Sequence, residues 1–426
     1  MRLYKMELYK ICSKKLFLFS ALASLVILLL YFHSFVTGAD STINGVQYRG
    51  YQAVRMDRAI TEEFKGELTD EKVTQIIDKY GFPSGVSENC NVFLDRNYLN
   101  DFVMREFSDG YFRGWDDYHV GTCTYPIAET ELGKAGAATG KMLILEYSYG
   151  WKVFTEVLEL GCMLGMVLIL LAISPVFSEE GYMNTQQILF TTKEGKAKDI
   201  AAKIAAGMTV VIAVCAIVII LDLILVGVVF GLDGRNCLYS QVMEEFVREW
   251  NHYNNTSTRY MEDFIRLAVA TCFLGMIEAA AISLYFSAHC NSPFHSVITS
   301  ALCLVMPMIL NILGRGDFSG ILFIMSQMFD IFLLGIAVMC LVPDIPNKAV
   351  LFGAKVLCCV LPLSAGLCFR RIFPFYYTIP GVLVMFGVAD LDIFVLRYPW
   401  IREQVFLFAF VASVIFIVCS WKKYRG

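Results

Sequence analysis

The chain has 426 residues, of which 57% are hydrophobic and 17% are charged, and its formal net charge is −4. Soluble domains average about 25% charged residues, so a soluble multidomain protein is excluded, and the small net charge gives no indication of a nucleic-acid partner. The apolar residues are concentrated in runs of about 20 residues, the length that an α-helix needs to cross a bilayer. The composition therefore predicts an all-α polytopic membrane protein.

The first two predicted elements are a short basic segment and a membrane span. Residues 1–15 mix lysine and arginine with apolar side chains at helical spacing, which predicts a helix lying on the inner leaflet of the membrane. The apolar run after it predicts a first transmembrane helix over residues 16–37. A cleaved signal peptide is the alternative, but the run is longer than the apolar core of a typical signal, and no small-residue cleavage site follows promptly.

Residues 38–152 form the one long hydrophilic block and predict an extracytoplasmic domain between the first and second spans. Within this block, Thr69 and Asp70 begin a helical pattern that Gly81 ends. The block is long enough to fold as a small domain of its own.

One segment of the block resembles a nucleotide-binding motif. Residues 135–142 read Ala-Gly-Ala-Ala-Thr-Gly-Lys-Met, close to a phosphate-binding P-loop. However, Ala135 replaces the first glycine, Met142 replaces the hydroxyl residue that holds magnesium, and the segment is predicted on the outer side of the membrane. We therefore expect this chain to bind no nucleotide and no other cofactor.

The 14 cysteines lie mostly in or beside apolar runs, where a thiol behaves as a small hydrophobe. Cys90, Cys123 and Cys237 are exceptions in predicted outer segments, where an oxidising environment permits a Cys90–Cys123 disulfide. Spacing does not decide between a bridge and two free thiols. No cysteine–histidine spacing is typical of a zinc site, so no metal site is predicted.

The second and third spans enclose a charged segment that organises our interpretation. Apolar runs predict these spans over residues 153–177 and 204–231, so residues 178–203 must lie in water at one membrane face. Lysines in this short segment predict the cytoplasmic face, because short lysine-rich loops are retained there. They are Lys193, Lys196, Lys198 and Lys203. We interpret residues 178–203 as a docking loop through which a separate motor protein moves the membrane helices.

The remainder of the chain predicts further spans. Residues 232–262 predict an external loop with an amphipathic helix, and residues 263–421 contain the remaining transmembrane helices. Because both termini have cytoplasmic character, the number of crossings must be even, and we assign residues 318–342 as a re-entrant segment. The prediction is about eight spans (roughly six to eight) in the plasma membrane, followed by a cytoplasmic tail over residues 422–426.

Three acidic residues fall at predicted membrane depth: Asp222, Glu278 and Asp330. A charged side chain at mid-bilayer costs roughly 2.5–3.5 kcal/mol on insertion scales, so it normally faces protein or a cavity. These residues are either polar points on a substrate path or contacts between helices. Catalysis has less support, since the five histidines are scattered and no hydrolase or metalloprotease motif is present. We expect no enzymatic activity.

Phe177 and Glu180 at the end of the second predicted span, followed by Lys203 before the third, resemble the ABC-2 type transporter permeases. Members of that family carry a Phe-x-x-Glu-x-x-x-Gly-like segment at the inner end of the second span, then a short coupling helix and a lysine. Residues 292–294 (Ser-Pro-Phe) are similar to the family's inner turn before the fifth span. Counting from Phe177, the family's glycine position holds Asn184 in this chain.

The resemblance implies the membrane subunit of a bacterial ABC exporter for an amphipathic substrate such as an antimicrobial peptide, a drug or a lipid. Two copies, or this chain and a sister permease, would form the membrane part, and separate ATPase subunits would bind ATP. Closure of the ATPase pair would tilt the spans through the docking loop. The residues predicted to meet the ATPase are Glu179, Glu180, Gly181, Thr185, Gln186, Gln187, Ile188, Leu189, Phe190, Thr191, Thr192 and Lys193.

Two other functions are compatible with the same sequence. A sensor or scaffold would bind an external ligand in residues 38–152 and pass the signal to a partner without moving a solute. A proton-coupled carrier would use Asp222, Glu278 and Asp330, and it would be supported by inverted repeats, which are not evident. A neighbouring gene for an ATPase would favour the exporter, whereas a neighbouring kinase gene would favour the sensor.

Overall fold

A computed structural model describes residues 2–87, 92–114, 117–191, 197–239, 241–242, 260–314, 350–351 and 399–425. Helices account for 76% of the described residues, which confirms a mostly helical protein. Four described helical segments are long and apolar enough to cross a membrane: Lys15–Gly38, Tyr149–Tyr182, Ala197–Val229 and Met261–His289. The predicted re-entrant segment 318–342 lies outside the described residues, as do residues 352–398 of the region 263–421 that is predicted to hold further spans, so the total number of spans stays a prediction.

The described helices and strands follow one another along the chain in a fixed order. The helices are α1 (Arg2–Cys12), α2 (Lys15–Gly38), α3 (Tyr51–Phe64), α4 (Asp70–Tyr80), α5 (Tyr98–Phe107), α6 (Glu131–Thr139), α7 (Tyr149–Ile173), α8 (Pro175–Tyr182), α9 (Gln186–Thr191), α10 (Ala197–Val229), α11 (Met261–His289), α12 (Pro293–Gly314) and α13 (Pro399–Arg425). The strands are β1 (Asp40–Ile43), β2 (Val46–Arg49), β3 (Gly66–Glu67), β4 (Ser84–Ser87), β5 (Val92–Asp95), β6 (Tyr111–Gly114), β7 (Asp117–His119) and β8 (Ile144–Leu145).

The chain divides into two compact units. The first unit comprises Met1–Val26, Glu159–Ile219 and Val269–Gly426, and the second comprises Ile27–Leu158 and Ile220–Ala268. The predicted outer domain belongs to the second unit, and the predicted docking loop belongs to the first.

The hydrophilic block of the second unit contains strands as well as helices, which differs from the all-α expectation. Its strands form antiparallel pairs, β1 with β2, β3 with β8, β4 with β5 and β6 with β7. Asn44 and Gly45 join β1 to β2 with φ angles of 53° and 79°. A two-residue Asn-Gly turn of this kind matches the twist of antiparallel strands, so the hairpin has a local cause.

The core of this block is formed by the apolar faces of its short helices. Ile76 of α4 and Leu99 and Phe107 of α5 are fully buried in it. Helix α4 begins as the sequence predicts, because the Thr69 hydroxyl accepts the backbone N–H of Lys72 and caps the first turn. Gly81, at φ 69°, ends the helix, also as predicted.

Residues 135–142 do not form a phosphate-binding loop. They are the second half of α6 and the residues after it, with Gly140 in the left-handed conformation as the cap at φ 67°. A side chain at Gly136 would lie 2.9 Å from the Leu143 side chain, so close packing accounts for that glycine. The P-loop resemblance therefore reflects a helix end.

Helices α7 and α11 approach closely within the first unit. A Cβ atom on Gly165 would lie 2.6 Å from the Met276 methyl carbon, so the absence of a side chain permits the contact. Cys162 and Cys272 form a disulfide between the same helices. The expectation that cysteines in apolar runs act only as small hydrophobes is wrong for this pair. Cys123 is an exposed free thiol, and Cys90 lies outside the described residues.

Asp57 on α3 is a partly buried carboxylate in the hydrophilic block. Its Oδ1 accepts hydrogen bonds from the Ser41 hydroxyl at 2.7 Å and from the Tyr98 backbone N–H at 3.2 Å. Burial raises the pKa of Asp57 from 3.8 to about 6 despite these bonds. The folded protein therefore binds this proton more tightly than the unfolded chain, and the resulting stabilisation is present below pH 3.8 and lost as the pH rises through 6.

As the pH falls from 7 to 5, protonation of Asp57 should stabilise the folded wild type. We predict that Asp57→Asn, which keeps a carbonyl acceptor for both donors, reduces this gain in the free energy of unfolding by about 1 kcal/mol. The measurement is the free energy of unfolding of the full chain in detergent micelles, by chemical denaturation at both pH values. Glu62→Gln, an exposed carboxylate on the same helix, is the matched control and should keep the wild-type difference. If the unfolding free energy of Asp57→Asn changed between the two pH values as much as that of the wild type, the raised pKa of Asp57 would be contradicted.

Candidate functional site

The predicted docking loop begins within α8, a short helix whose first turn is fixed by serines from two other helices. Pro175 has no N–H and cannot continue the preceding helix, so a new helix begins there. The backbone N–H groups of Phe177 and Ser178 donate to the Ser287 hydroxyl of α11 at 2.9 and 3.3 Å. The Ser296 hydroxyl of α12 donates at 2.9 Å to the carbonyl just before Pro175. The polar groups at this break are therefore satisfied by specific partners.

Glu180, near the end of α8, is the centre of a partly buried ion cluster. The ammonium group of Lys203 on α10 lies 2.8 Å from both Glu180 carboxylate oxygens. Lys203 also pairs with Asp199, one helical turn earlier, and the Tyr424 hydroxyl of α13 donates to Glu180. Since the Lys203 side chain is 0% exposed, it depends on these carboxylates to offset its loss of water.

The N-terminal segment joins the same cluster. Lys10 of α1 lies 3.8 Å from Glu180 and 2.6 Å from Glu7 on its own helix. Lys14, between α1 and α2, lies 2.5 Å from the Glu179 carboxylate. The two consecutive glutamates of α8 therefore contact different parts of the chain, Glu179 the segment before α2 and Glu180 the cluster around Lys203.

The charges in this cluster stabilise one another. Two unit charges 2.8 Å apart attract by about 6 kcal/mol at an effective dielectric constant near 20, before the cost of desolvation is subtracted. Burial alone would lower the pKa of Lys10, but the hydrogen bond and charge of Glu7 and the charge of Glu180 outweigh it and raise the pKa. Burial and the adjacent carboxylate raise the pKa of the Tyr424 phenol well above its usual range. Lys10 therefore stays cationic, and Tyr424 stays a hydrogen-bond donor.

Helix α8 ends in a motif that requires a left-handed residue. Asn184 has a φ of 54°, the N–H of Thr185 donates to the Glu180 carbonyl, and the N–H of Asn184 donates to the Gly181 carbonyl. This pair of bonds is the Schellman arrangement, whose left-handed position is held usually by glycine and sometimes by asparagine. The chain then enters α9.

Three large apolar side chains on α9 and just before it are exposed. Tyr182, Met183 and Ile188 are 65%, 63% and 68% exposed. Large apolar side chains that the rest of the chain leaves uncovered are typical of a contact surface for another protein or for the membrane.

The predicted ATPase-contact residues are distributed between the cluster and the exposed segment. Glu179 and Glu180 lie in the ion cluster, Gly181 lies in the last turn of α8, and Thr185 lies in the turn after it. The remaining described members belong to α9. They are Gln186, Gln187, Ile188, Leu189, Phe190 and Thr191. Thr192 and Lys193 lie outside the described residues.

Two of the three acidic residues predicted at membrane depth are among the described residues. Asp222 is fully buried in the second unit, and both of its carboxylate oxygens lack a hydrogen-bond partner. Glu278 is fully buried in the first unit. Asp330 lies outside the described residues. Within the part of the chain that the structure describes, no group of three or more His, Cys, Asp or Glu side chains is arranged to hold a metal ion.

Sequence reasoning identified Glu180 and Lys203 but not their shared partners. Asp199 precedes Lys203 by four residues, and this spacing places the two on one helix face, so the pair was detectable. Tyr424 is 244 residues from Glu180, and no local pattern indicates the contact. Comparison with protein-family models, curated proteins and solved structures finds no match to this chain.

We predict that Lys203→Met lowers the free energy of unfolding by about 3–5 kcal/mol, because it leaves buried carboxylates without their cation. The matched control is Lys198→Met at an exposed position of the same helix, which should change stability by no more than about 0.5 kcal/mol. Both are measured by chemical denaturation in detergent micelles. If uncompensated charge is the cause, adding Asp199→Leu to Lys203→Met should recover part of the loss. A double variant that is less stable than Lys203→Met would contradict this cause.

A second prediction concerns the end of α8. Asn184→Gly should leave stability nearly unchanged, whereas Asn184→Val should cost about 1–3 kcal/mol, because a β-branched residue is strained in the left-handed region. Thr185→Val, at the exposed neighbouring position, controls for the added apolar group. Equal stability of the valine and glycine variants in thermal melting would argue against the left-handed conformation.

Proposed function

We propose that this chain is the membrane-embedded permease subunit of an ABC-2 type exporter, worked by a separate ATPase subunit that docks on residues 178–203. The observation that carries the proposal is the buried contact of Glu180 with Lys203 and Tyr424. It connects the segment expected to meet the ATPase to two long helices, α10 and α13, through side chains that are shielded from water.

The geometry around α8 supports a mechanical role. A force applied to α9 would reach α8 through a short capped turn. From α8 it would pass to α10 through Lys203, to the start of α2 through Lys14, and to α11 through Ser287. Packed helices joined in this way shift as rigid bodies between discrete arrangements. A solvated loop with no mechanical role would not require a fully buried lysine at its base.

The left-handed conformation of Asn184 also supports the resemblance to the permease family. The family's segment has glycine at this position, counted from Phe177 and Glu180. Glycine suits this position in a Schellman motif, which needs a residue that tolerates positive φ. Asparagine is the other residue that commonly does so, and Asn184 adopts a φ of 54°. Asparagine in place of the family's glycine is therefore compatible with this helix end.

The proposed partners follow from this role. ATP would bind to the partner ATPase, this chain would carry out transport without catalysis of its own, and a second copy or a sister permease would complete the membrane part. The helices would lie in the plasma membrane with both termini on the cytoplasmic side, where the ATPase is. The proposed cargo is an amphipathic molecule such as an antimicrobial peptide, a drug or a lipid.

The proposal is tested by disrupting the exposed patch and leaving the ion cluster intact. Tyr182→Ser, Met183→Ser and Ile188→Ser together should abolish co-purification of the tagged chain with the ATPase encoded beside it. Because these side chains are more than half exposed, the melting temperature should change little. The control replaces three exposed apolar residues of similar type in the hydrophilic block, Val46, Tyr118 and Met142, with serine.

The control variant should retain the ATPase and its substrate-stimulated ATP turnover. Retention of the ATPase by the patch variant would contradict docking at this segment. Equal loss in both variants would also contradict it, because the effect would then be one of general surface polarity.

A further inference from the structure

Helix α1 lies beside the ion cluster and is joined directly to an apolar helix. It ends at Cys12, and α2, which is long and apolar enough to cross a membrane, begins at Lys15. Each residue extends the chain by at most about 3.6 Å, so the end of α1 lies within about 11 Å of the start of α2. Because the end of an apolar span lies at the level of the lipid headgroups, the end of α1 is close to a membrane surface.

One face of α1 packs on the rest of the protein. Ile11 is buried, and Glu7, one turn earlier on the same face, is buried as well. The Tyr4 hydroxyl donates to the Thr209 hydroxyl of α10 at 2.9 Å. These contacts fix the rotation of α1 about its own axis, so they also determine which side chains lie on its outer side.

The opposite face of α1 carries two large apolar side chains that are exposed. The repeat of 3.6 residues per turn places Met6 and Tyr9 on the side of the helix away from Ile11, and both are more than half exposed. The exposed apolar surface continues onto α2, where Leu16 and Phe19 are also uncovered. Tyrosine is common at the membrane–water interface, so this surface fits the boundary between headgroups and acyl chains.

Positive charge accompanies these apolar side chains. Residues 1–15 contain five cationic side chains and one carboxylate. Lys10 pairs with that carboxylate, and Lys14 pairs with Glu179 of α8. The other three cations are exposed, and the described residues give none of them an ion-pair partner. They are Arg2, Lys5 and Lys15.

The combination of the two kinds of side chain indicates the partner. Apolar side chains alone fit any lipid or protein surface, and cations alone fit any acidic molecule. A helix that presents both at headgroup level fits a leaflet that contains anionic phospholipid. The apolar side chains then enter the edge of the acyl region, while the cations stay beside the phosphate groups.

We propose that the outward face of α1 binds a membrane surface that contains anionic phospholipid and prefers it to a neutral one. This face is formed by Arg2, Lys5, Met6 and Tyr9. The composition of residues 1–15 predicts only that they lie on the membrane, whereas the structure distinguishes the side chains that pack on the protein from those left for lipid. The proposal does not depend on ATPase docking, and its test requires no ATPase.

The test places a fluorescent reporter on this face. The full chain with Tyr9→Trp is reconstituted in nanodiscs of equal parts phosphatidylcholine and phosphatidylglycerol, with brominated acyl chains on one lipid or on the other. Quenching of the added tryptophan, after subtraction of the wild-type signal, reports which lipid lies beside position 9. The test variant adds Arg2→Gln and Lys5→Gln to the reporter chain. Its control adds Arg55→Gln and Lys134→Gln, which remove the same charges from exposed positions of the hydrophilic block.

We expect quenching by brominated phosphatidylglycerol to exceed quenching by brominated phosphatidylcholine about threefold or more in the reporter chain and in the control. The two lipids should quench almost equally in the test variant, and also in the reporter chain at high salt, because the attraction is then screened. Since Arg2 and Lys5 are exposed, the melting temperature should change little. If the double variant does not fold, Lys5→Gln alone should reduce the preference about twofold.

Three results would overturn the proposal. If neither lipid quenches the reporter, the face does not lie on the membrane and is left for a protein partner. If both lipids quench it equally in the reporter chain, the face meets the membrane without selecting its charge. If the test variant keeps the preference of the control, Arg2 and Lys5 do not provide the selection.

Discussion

The arrangement around the docking segment depends on one lysine that has no access to water. Lys203 is fully buried, and an ammonium group is stable in such a place only if carboxylates take over the role of water. Asp199 supplies one from the same helix and Glu180 supplies another from α8. Because Glu180 must lie within contact distance of Lys203, the end of α8 is held against α10, and Tyr424 extends the same constraint to α13.

Different kinds of interaction stabilise the inside of each unit. In the hydrophilic block, burial of apolar side chains such as Ile76 and Phe107 against neighbouring short helices drives folding, as in a soluble domain. Among apolar helices in a bilayer this force is weak, since lipid is as apolar as the helix surface. The positions of such helices relative to one another must then be fixed by polar contacts and close packing. In the first unit these are the Ser287 hydroxyl on the α8 amides, the ion cluster, and the glycine contact at Gly165.

The candidate functional site uses charge at an end of an apolar helix. The ion cluster is built on α8, which follows α7 in the chain. Charged side chains are tolerated at such ends because they can remain partly solvated or can pair, whereas at mid-span they cost several kcal/mol. Asp222 and Glu278 are described exceptions, since both are fully buried within long apolar helices. The region beside α9 differs again, since its large apolar side chains are not covered by other described parts of the chain.

The sequence by itself determined that the chain is mostly helical and has helices long and apolar enough to cross a membrane, because hydropathy and helix length are local properties. It also located the helix that Thr69 begins. It singled out Glu180 and Lys203 as members of the segment that resembles the permease family, without predicting that the two side chains pair. It could have revealed the Asn44-Gly45 hairpin and the Asp199–Lys203 pair, whose signals are two and four residues long. Only the tertiary structure decided that Tyr424 meets Glu180 and that Cys162 bonds Cys272, at separations of 244 and 110 residues. Those contacts depend on which helices pack together, and apolar helices of similar composition carry no local signal for their neighbours.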